Sequence, residues 1–498
     1  MNRRQFLLAL AAPTPKPNVL FIAVDDLRPE LGCYGAAHVH SPHLDALARS
    51  ATQFSRAYCQ QALCNPSRAS MLTGLRPDSL QVWNLQTDFR STTPHAITLP
   101  QLFKANGYHT LNSGKLFHNI FPDPPSWSEP DLRLPNYPFD PDAVYRGQAE
   151  TNQLEARKQQ ILAAGNQARY IDQYGQWYLK NNATEAPDVP DNAYFDGAQT
   201  DAAIARLPQL QAAHKPFFLS IGYYRPHLPF NAPKKYWDLY DRSKIPLAPN
   251  PVLPQNAPPM AENRNRELRG YQDFKAAPTP DQGTVSQSQA RLLRHGYLAS
   301  VSYIDAQIGR LLAELDRLKL TSNTIVVLWG DHGWKLGEHN AWGKMTNYEI
   351  DTRVPLLIRA PGVSPGICPG LVESVDIYPT LCDLAGLTPP SNLEGTTLTP
   401  LLRHPSHPGK RAIFTQYLRD GLWVAPDGVT YMGRAIRTER YRYVEWSTFP
   451  DKQLTATELY DLTADPAENK NIAATSPNLC RQLAARLKSG WRAEHRPL

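Results

Sequence analysis

Three short apolar runs, each followed at once by polar side chains, dominate the first two thirds of the chain. They cover residues 18–24, 217–222 and 324–329. Runs of this length predict strands that are buried on both faces, as in the parallel sheets of α/β proteins. The carboxyl ends of such strands meet at one edge of the sheet, where α/β proteins bind ligands. The pattern therefore predicts an α/β domain with its site at that edge.

Helical patterns occur between these runs. Residues 286–320 carry apolar side chains at alternating spacings of four and three, which predicts one long amphipathic helix facing the core. Shorter helices are predicted at 41–50, which opens with Ser-Pro, and at 98–106. We also expect residues 63–74 to form a short loop that enters a helix, because a proline suits the first helical turn.

The last fifth of the chain has a different character. Residues 398–410 are rich in proline and histidine, which favours a linker. We therefore expect a catalytic domain at 18–408 and a C-terminal α+β subdomain at 409–498. Three strands of a small antiparallel sheet are predicted in the subdomain, at residues 411–417, 434–437 and 441–446. A final amphipathic helix is predicted at residues 477–493.

Composition narrows the class of protein. Hydrophobic residues make up 42% of the 498 residues, enough for a sizeable core. The net charge of +6 arises from 52 basic and 46 acidic residues with no Lys/Arg tract, which argues against nucleic-acid binding. No stretch is apolar for long enough to span a membrane.

Two Pro-rich regions, 121–190 and 245–282, predict long loops that carry specificity.

The N-terminal residues 1–12 have the pattern of a short export signal. Two arginines precede an apolar run that contains Ala-Leu-Ala, a twin-arginine-type arrangement. We therefore expect a protein exported to the periplasm or the extracellular space, although a frayed, uncleaved N-terminus fits the same residues. The six cysteines show no zinc-type spacing, and an exported protein allows disulfides that the sequence does not assign.

Carboxylates follow two of the predicted strands. Asp25 and Asp26 come directly after the first, and Asp331 with His332 comes after the third. Three carboxylates around one point repel one another unless a cation holds them, and oxygen ligands select Ca²⁺ or Mg²⁺. The alternative for the Asp25–Asp26 pair is turn chemistry or a helix cap. The recurrence at strand ends favours a metal site.

Cys64 and Arg68 lie one helical turn apart in the segment that begins the second predicted helix. Free N–H groups and the helix dipole favour an anion at such a helix start. The planar guanidinium of Arg68 matches tetrahedral oxyanions and is expected on the same face. The segment therefore predicts a reactive side chain on an anion-binding cradle, with a buried structural cysteine as the alternative.

The pattern Cys-x-Pro-Ser-Arg followed by Leu-Thr-Gly resembles the signature of the type I, formylglycine-dependent sulfatases. In that family a formylglycine-generating enzyme oxidises the cysteine. Motifs elsewhere resemble the iduronate-2-sulfatase branch of the family: Val-Asp-Asp-Leu-Arg-Pro at 24–29, Gly-Lys-x-Phe-His at 114–118, Gly-Tyr-x-x-Pro-His-x-Pro-Phe at 222–230, Asp-His-Gly-Trp-x-Leu-Gly-Glu-His at 331–339 and Glu-Leu-Tyr-Asp-Leu at 458–462.

The resemblance implies a fold, a cofactor and a substrate class. The fold is expected to be alkaline-phosphatase-like, with a mixed, mostly parallel central sheet between helices. The implied reaction is hydrolysis of sulfate esters on sulfated carbohydrates, with 2-O-sulfated uronic acid as the family's expected substrate. The resemblance also implies a Ca²⁺ ion, with Mg²⁺ as the less favoured ion, held by Asp25, Asp26, Asp331, His332 and an oxygen of modified Cys64.

The resemblance also assigns roles to basic side chains. Lys115, Lys344 and His227 would neutralise the sulfate oxygens with Arg68, and His227 or Lys344 would protonate the leaving oxygen. His118 would take a proton from the second hydroxyl of the hydrated formylglycine. Taken singly, either histidine fits a surface or core position, and Lys344 fits a solvated loop.

Two rival functions fit parts of the same pattern. The first is a phosphodiesterase or phosphonate monoester hydrolase, since some of these share the modified cysteine. The second is a protein that binds sulfated glycans without catalysis. The presence of the cysteine, the carboxylates and the basic side chains together argues against the second rival. A phosphoester-cleaving rate far above the sulfatase rate would favour the first.

Overall fold

A seven-stranded mixed sheet forms the centre of the molecule, which we describe from a computed structural model for residues 16–118, 121–132, 145–170, 179–420 and 427–494. The strands are β1 (Asn18–Val24), β2 (Thr52–Tyr58), β3 (His109–Gly114), β4 (Phe217–Tyr223), β5 (Thr324–Gly330), β6 (Arg353–Arg359) and β7 (Gly366–Glu373). Their order is β7-β2-β6-β5-β1-β4-β3, and β6 alone runs opposite to the others. The expected mixed, mostly parallel sheet is confirmed.

Helices cover both faces of this sheet, so its central strand β1 is buried on both sides. Leu20, Ile22 and Val24 belong to one core cluster, and the alternate residues to the other. The helices are α1 (Pro42–Arg49), α2 (Cys64–Thr73), α3 (Pro77–Leu80), α4 (Phe89–Thr92), α5 (Leu99–Ala105), α6 (Gln148–Ala163), α7 (Phe195–Ala212), α8 (Lys234–Trp237), α9 (Gln287–Arg317), α10 (Glu349–Thr352), α11 (Ile377–Ala385), α12 (Thr399–Arg403) and α13 (Pro477–Ser489).

The long predicted helix is α9. It begins after Ser286, whose hydroxyl accepts from the Gln289 N–H while the Gln289 side chain accepts from the Ser286 N–H. This reciprocal capping box satisfies two backbone donors at the helix start. The apolar stripe of α9 packs into the same cluster as one face of β1.

A second, antiparallel sheet follows in the C-terminal region. Its strands are β8 (Ala412–Arg419), β9 (Tyr431–Thr438), β10 (Tyr441–Thr448) and β11 (Leu454–Asp461), paired in chain order. The first three of these strands were predicted, and the fourth was not. The final helix α13 ends at Ser489, four residues before the predicted end at 493. The predicted boundary between residues 408 and 409 stays a prediction.

The interpretation of residues 398–410 as a linker is wrong for its first half. Residues Thr399–Arg403 form α12, and Leu398, Leu401 and Leu402 are buried in a core cluster of the large domain. Burial of three leucines outweighs the loop preference of the surrounding proline and histidine residues.

The predicted export signal at residues 1–12 lies outside the described residues. Among the described residues, no helix combines the length and the apolar character needed to cross a membrane. All six cysteines are described, and none of them forms a disulfide.

Candidate active site

The parallel strands deliver the predicted side chains to one edge of the central sheet. Each site segment comes after the carboxyl end of a strand: Asp25 and Asp26 after β1, Cys64 at the start of α2 after β2, Lys115 after β3, His227 after β4, and Asp331 with His332 after β5. Lys344 lies on the loop between β5 and β6. The expected convergence of the strand ends is therefore present in the structure.

Cys64 lies within a group of side chains that could hold a metal ion. Ligand atoms of Asp25, Cys64, Asp331 and His332 all lie within 4.8 Å of one another, and all four residues are buried. The Cys64 Sγ lies 3.5 Å from Asp25 Oδ1 and 3.2 Å from His332 Nε2. Asp26 joins this group, since its Oδ1 lies 3.3 Å from His332 Nδ1.

Three buried cations surround the carboxylates. Arg68 donates from Nε to Asp331 Oδ2 at 2.8 Å, and its Nη2 lies 3.3 Å from Asp25 Oδ1. Lys115 Nζ lies 2.5 Å from Asp25 Oδ2, and Lys344 Nζ lies 2.7 Å from Asp26 Oδ1. Charge compensation of this kind is needed because isolated buried charges are costly.

Burial and these charges act on the site groups in different directions. Burial raises the pKa of the Cys64 thiol well above its usual value, and Asp25 adds to the increase. Burial also works to raise the pKa of Asp25, but Lys115 and Arg68 hold it well below its usual range. For Asp26, burial outweighs Lys344 and raises the pKa to about 6. The expected anion-binding cradle at the start of α2 stays a prediction.

A left-handed turn directs the two adjacent aspartates. Asp26 has φ 57°, a conformation that aspartate tolerates better than most residues. Its N–H donates to Asp331 Oδ1 at 3.1 Å, and its carbonyl accepts from the Tyr297 hydroxyl at 2.9 Å. Helix α9 thus supports the segment after β1 through Tyr297, and Asp331 is hydrogen-bonded to the same segment through the Asp26 N–H.

Lys115 reaches the site because two glycines let β3 and β4 approach closely. Gly114 has φ +79°, and a Cβ at Gly222 would lie 2.1 Å from the carbonyl carbon and oxygen of Lys115. Only glycine fits without moving the Lys115 backbone.

Replacing Gly222 by alanine is expected to lower the free energy of unfolding by about 2–3 kcal/mol, because the backbone of Lys115 must shift. Gly270→Ala is the matched control, since its added Cβ meets only the Lys180 side chain at 3.7 Å. Urea unfolding measures both. A Gly222→Ala protein as stable as the Gly270→Ala protein would contradict the close approach.

His227 belongs to a second group of side chains beside the first, in which Asp26 and His227 are buried and Glu267 is partly buried. Its Nε2 lies 2.8 Å from Glu267 Oε1 and 3.9 Å from Asp26 Oδ2. Lys344 Nζ lies 3.5 Å from Glu267 Oε2. Sequence reasoning missed Glu267, because it lies in the Pro-rich region 245–282 outside every motif. A carboxylate within a segment otherwise rich in proline and asparagine carries no signal of its own.

His118 lies three residues beyond Lys115 on the same loop. Its ring packs near Phe121, with 6.3 Å between the ring centroids. Its role in proton transfer stays a prediction. Lys344, interpreted as either a site residue or a solvated loop residue, is buried beside Asp26.

A closed group of ion pairs supports the loop behind the site. Arg28, two residues after Asp26, lies 2.5 Å from Glu30 and 3.0 Å from Glu338. Arg294 of α9 lies 3.2 Å from Glu30 and 3.5 Å from Glu338. Burial would raise the pKa of Glu30, but Arg28, and then His38 and Arg294, lower it to about 2.

This pairing predicts a pH dependence of stability. A carboxylate whose pKa is lowered by folding stabilises the folded state at a pH above its unfolded pKa, here about 4.5. This stabilisation is lost as the pH falls towards 2. For Glu30 it contributes roughly 3 kcal/mol to the free energy of unfolding. The Tm of the wild type is therefore expected to fall more steeply between pH 5 and pH 2 than the Tm of Glu30→Gln. Glu155→Gln, an exposed change on α6, controls for charge removal alone. Parallel curves for wild type and Glu30→Gln would contradict the assignment.

The donor set fits a hard divalent cation. Asp25, Asp26 and Asp331 offer carboxylate oxygens around one point, which is the chemistry that Ca²⁺ and Mg²⁺ prefer. The thiol of Cys64 is the exception, because sulfur is a poor ligand for a hard ion. An oxygen-bearing side chain at position 64 would complete the set.

Known proteins resemble this chain over nearly its whole length. The Sulfatase family model matches residues 17–387, and the model of the C-terminal part of N-sulphoglucosamine sulphohydrolase matches residues 337–493. The iduronate 2-sulfatase of Homo sapiens is 34% identical, over 91% of this chain and 90% of the human protein. A sulfatase of Formosa agariphila is 30% identical, over 92% of this chain and 83% of that protein.

A solved structure shares the fold. The phosphonate monoester hydrolase SpPMH from Silicibacter pomeroyi superimposes with a TM-score of 0.71 at 25% identity, covering 96% of each chain. The central sheet, its helices and the C-terminal antiparallel sheet have the expected alkaline-phosphatase-like architecture. With the family match over most of the chain, this shows that the protein belongs to the sulfatase family and is a sulfuric ester hydrolase.

Proposed function

We propose that the protein hydrolyses sulfate esters of carbohydrates with a formylglycine made from Cys64 and a bound Ca²⁺ ion. One observation carries the proposal: Cys64 lies at the start of a buried helix, against Asp25 and His332, with Arg68 one turn on. A merely structural cysteine does not require three carboxylates and three cations around it.

The cation would be held by Asp25, Asp26, Asp331 and His332, together with an oxygen of modified residue 64. When bound, it supplies positive charge that polarises the oxygens of the reacting groups. His332 is the unusual member of this set, because imidazole is a poor ligand for a hard cation. Its Nε2, 3.2 Å from Cys64 Sγ, is also placed to donate to an oxygen at position 64 or to the sulfate.

Hydrated formylglycine supplies two hydroxyls on one carbon, one to form the bond to sulfur and one to expel the sulfate afterwards. Arg68 lies beside position 64 and would orient the attacking oxygen and a sulfate oxygen. Lys115 and Lys344 would neutralise the remaining sulfate oxygens. His118 would accept the proton of the second hydroxyl. The bond between the formylglycine carbon and the sulfate oxygen would then break, so that sulfate leaves and the aldehyde returns.

The leaving alcohol needs a proton, because a sugar alkoxide is a poor leaving group. His227 and Lys344 lie on the same side of Asp26, with Nε2 and Nζ as the atoms that carry protons. Either would donate as the sulfur–oxygen bond of the ester breaks.

We propose a 2-O-sulfated uronic acid as the substrate. The similarity to human iduronate 2-sulfatase over 91% of this chain supports it. Region 245–282 and the described parts of region 121–190 are proposed to form the walls that contact the sugar; residues 133–144 and 171–178 lie outside the described residues. Glu267 of region 245–282 reaches the site.

A phosphonate monoester hydrolase is the second candidate, and the similarity to SpPMH favours it. The nucleophile, cation site and basic side chains would serve a phosphoryl centre equally well. A glycan-binding protein without catalysis is not favoured, because those same groups are all retained at one point.

Release of inorganic sulfate tests the proposal. Protein with modified Cys64 is offered oligosaccharides ending in 2-O-sulfated uronic acid, a sulfated galactose oligosaccharide and a phenyl phosphonate monoester. We expect kcat/KM to be highest for the uronic acid sulfate. A phosphonate rate far above every sulfate rate would establish the second candidate instead.

We also propose that a formylglycine-generating enzyme modifies Cys64 and that the protein is exported, either before or after this modification. The arginines and the apolar run within residues 1–12 support export. Sequencing the N-terminus of protein recovered from its native host, outside the cytoplasm, is expected to begin near Pro13.

A further inference from the structure

Glu267 contacts both side chains that are proposed to protonate the leaving group, yet the proposed reaction gives it no role. Its Oε1 is 2.8 Å from His227 Nε2 and its Oε2 is 3.5 Å from Lys344 Nζ. Its side chain is only 11% exposed. A buried carboxylate in a pocket for an anionic ester requires an explanation.

The segment that carries Glu267 is fixed to the loop that carries Lys344. Asn263 Nδ2 donates to the Lys344 carbonyl at 2.8 Å, and Asn265 Oδ1 accepts from the Trp342 N–H at 2.7 Å. Leu268, the next residue after Glu267, is buried in the main core. The carboxylate is therefore held in place on both sides.

The imidazole of His227 is held at both nitrogens. Its Nδ1 lies 2.6 Å from the Leu228 carbonyl oxygen, and its Nε2 faces Glu267. Glu267 thus holds the ring through the Nε2 N–H, and a leaving oxygen would take its proton from this same N–H, shared with Glu267. Because the pocket binds a sulfate, direct contact between the Glu267 carboxylate and the sulfate would be repulsive, so Glu267 acts through its two neighbours.

We infer that Glu267 is a positioning residue that holds His227 and Lys344 together as the proton-donating side of the site. The inference rests on the proposed function. As a hydroxyl of residue 64 gives its proton to a carboxylate beside it, such as Asp25, and its oxygen bonds to sulfur, the ester S–O bond breaks. The electron pair of that bond stays on the sugar oxygen, and a proton from His227 or Lys344 moves to that oxygen. Glu267 orients the donor during this step and touches no reacting atom.

Two substrates with different leaving groups separate this role from a structural one. 4-Nitrophenolate leaves without a proton, whereas a sugar hydroxyl requires one. For Glu267→Ala we expect kcat on the uronic acid sulfate to fall at least about 10-fold. On 4-nitrophenyl sulfate we expect a change of less than about 3-fold, with KM little altered on either substrate. Glu267→Gln retains an acceptor for Nε2 and should recover part of the lost rate.

Glu262→Gln is the matched control, because Glu262 is buried in the same segment but pairs with Lys335 at 2.7 Å. It should leave the ratio of the two rates unchanged. Equal losses on both substrates, or no loss on either, would overturn the inference. If Glu267→Ala does not fold, as judged by thermal unfolding, Glu267→Gln carries the comparison. Wild-type protein with formylglycine that releases no sulfate from either substrate would instead contradict the proposed function.

Discussion

Cys64→Ser protein is expected to lose steady sulfate release by at least about 10⁴-fold, the scale seen when a nucleophile is removed. Serine has one hydroxyl, so it can accept the sulfuryl group but has no second hydroxyl to expel it. We therefore expect a covalent sulfate ester on residue 64 after incubation with substrate, visible as an added sulfate in the mass of the intact protein.

Two variants control this experiment. Cys64→Ala should show neither turnover nor added mass, because it offers no oxygen. Cys33→Ser changes a partly exposed cysteine outside the metal-ligating group and should retain activity. Steady turnover by Cys64→Ser at a rate near that of the wild type would contradict the formylglycine mechanism.

Asp25→Asn is expected to have the second largest effect. Asp25 contacts Lys115, Arg68 and Cys64, so the change removes one proposed cation ligand and leaves buried positive charge without its partner. Loss of even an outer partner of a metal ligand costs 10- to 100-fold in metal affinity, so we expect at least about 10²-fold weaker Ca²⁺ binding. Activity should fall at least as far.

Calorimetric titration with Ca²⁺ and thermal unfolding with and without Ca²⁺ measure this effect, because a ligand that binds the folded state raises Tm. Asp305→Asn is the control: Asp305 is also a buried aspartate, but it accepts from the N–H groups of His43 and Leu44 at the start of α1. An Asp25→Asn protein that binds Ca²⁺ as tightly as the wild type would remove Asp25 from the ligand set.

The convergence of the site was predictable because it depends on strands and on the polar residues directly after them. The runs that became β1, β4 and β5 are mostly apolar, which marks strands buried on both faces. A polar segment begins where each run ends, so Asp25, His227 and Asp331 had to meet at the same edge. Local pattern and topology agree here, and the sequence alone was sufficient.

Glu267 could not be predicted, because its position depends on how an irregular segment packs. Region 245–282 has no periodic pattern, and its path is fixed by contacts such as Asn263 with the Lys344 carbonyl. The raised pKa of the Cys64 thiol was not predictable for a related reason, because the burial and the Asp25 charge that raise it come from the folded site.

The peptide from residues 57–68, released by cleavage after Arg56 and Arg68, provides the most direct test of the central claim. Its mass in protein from the native host reports the chemical state of residue 64, and Cys59 in the same peptide serves as an internal thiol. We predict that Cys59 takes up a thiol-alkylating reagent while residue 64 does not and instead reacts with an aminooxy reagent, as an aldehyde does. Alkylation of both cysteines would show that Cys64 is an unmodified thiol and that the proposed nucleophile does not exist.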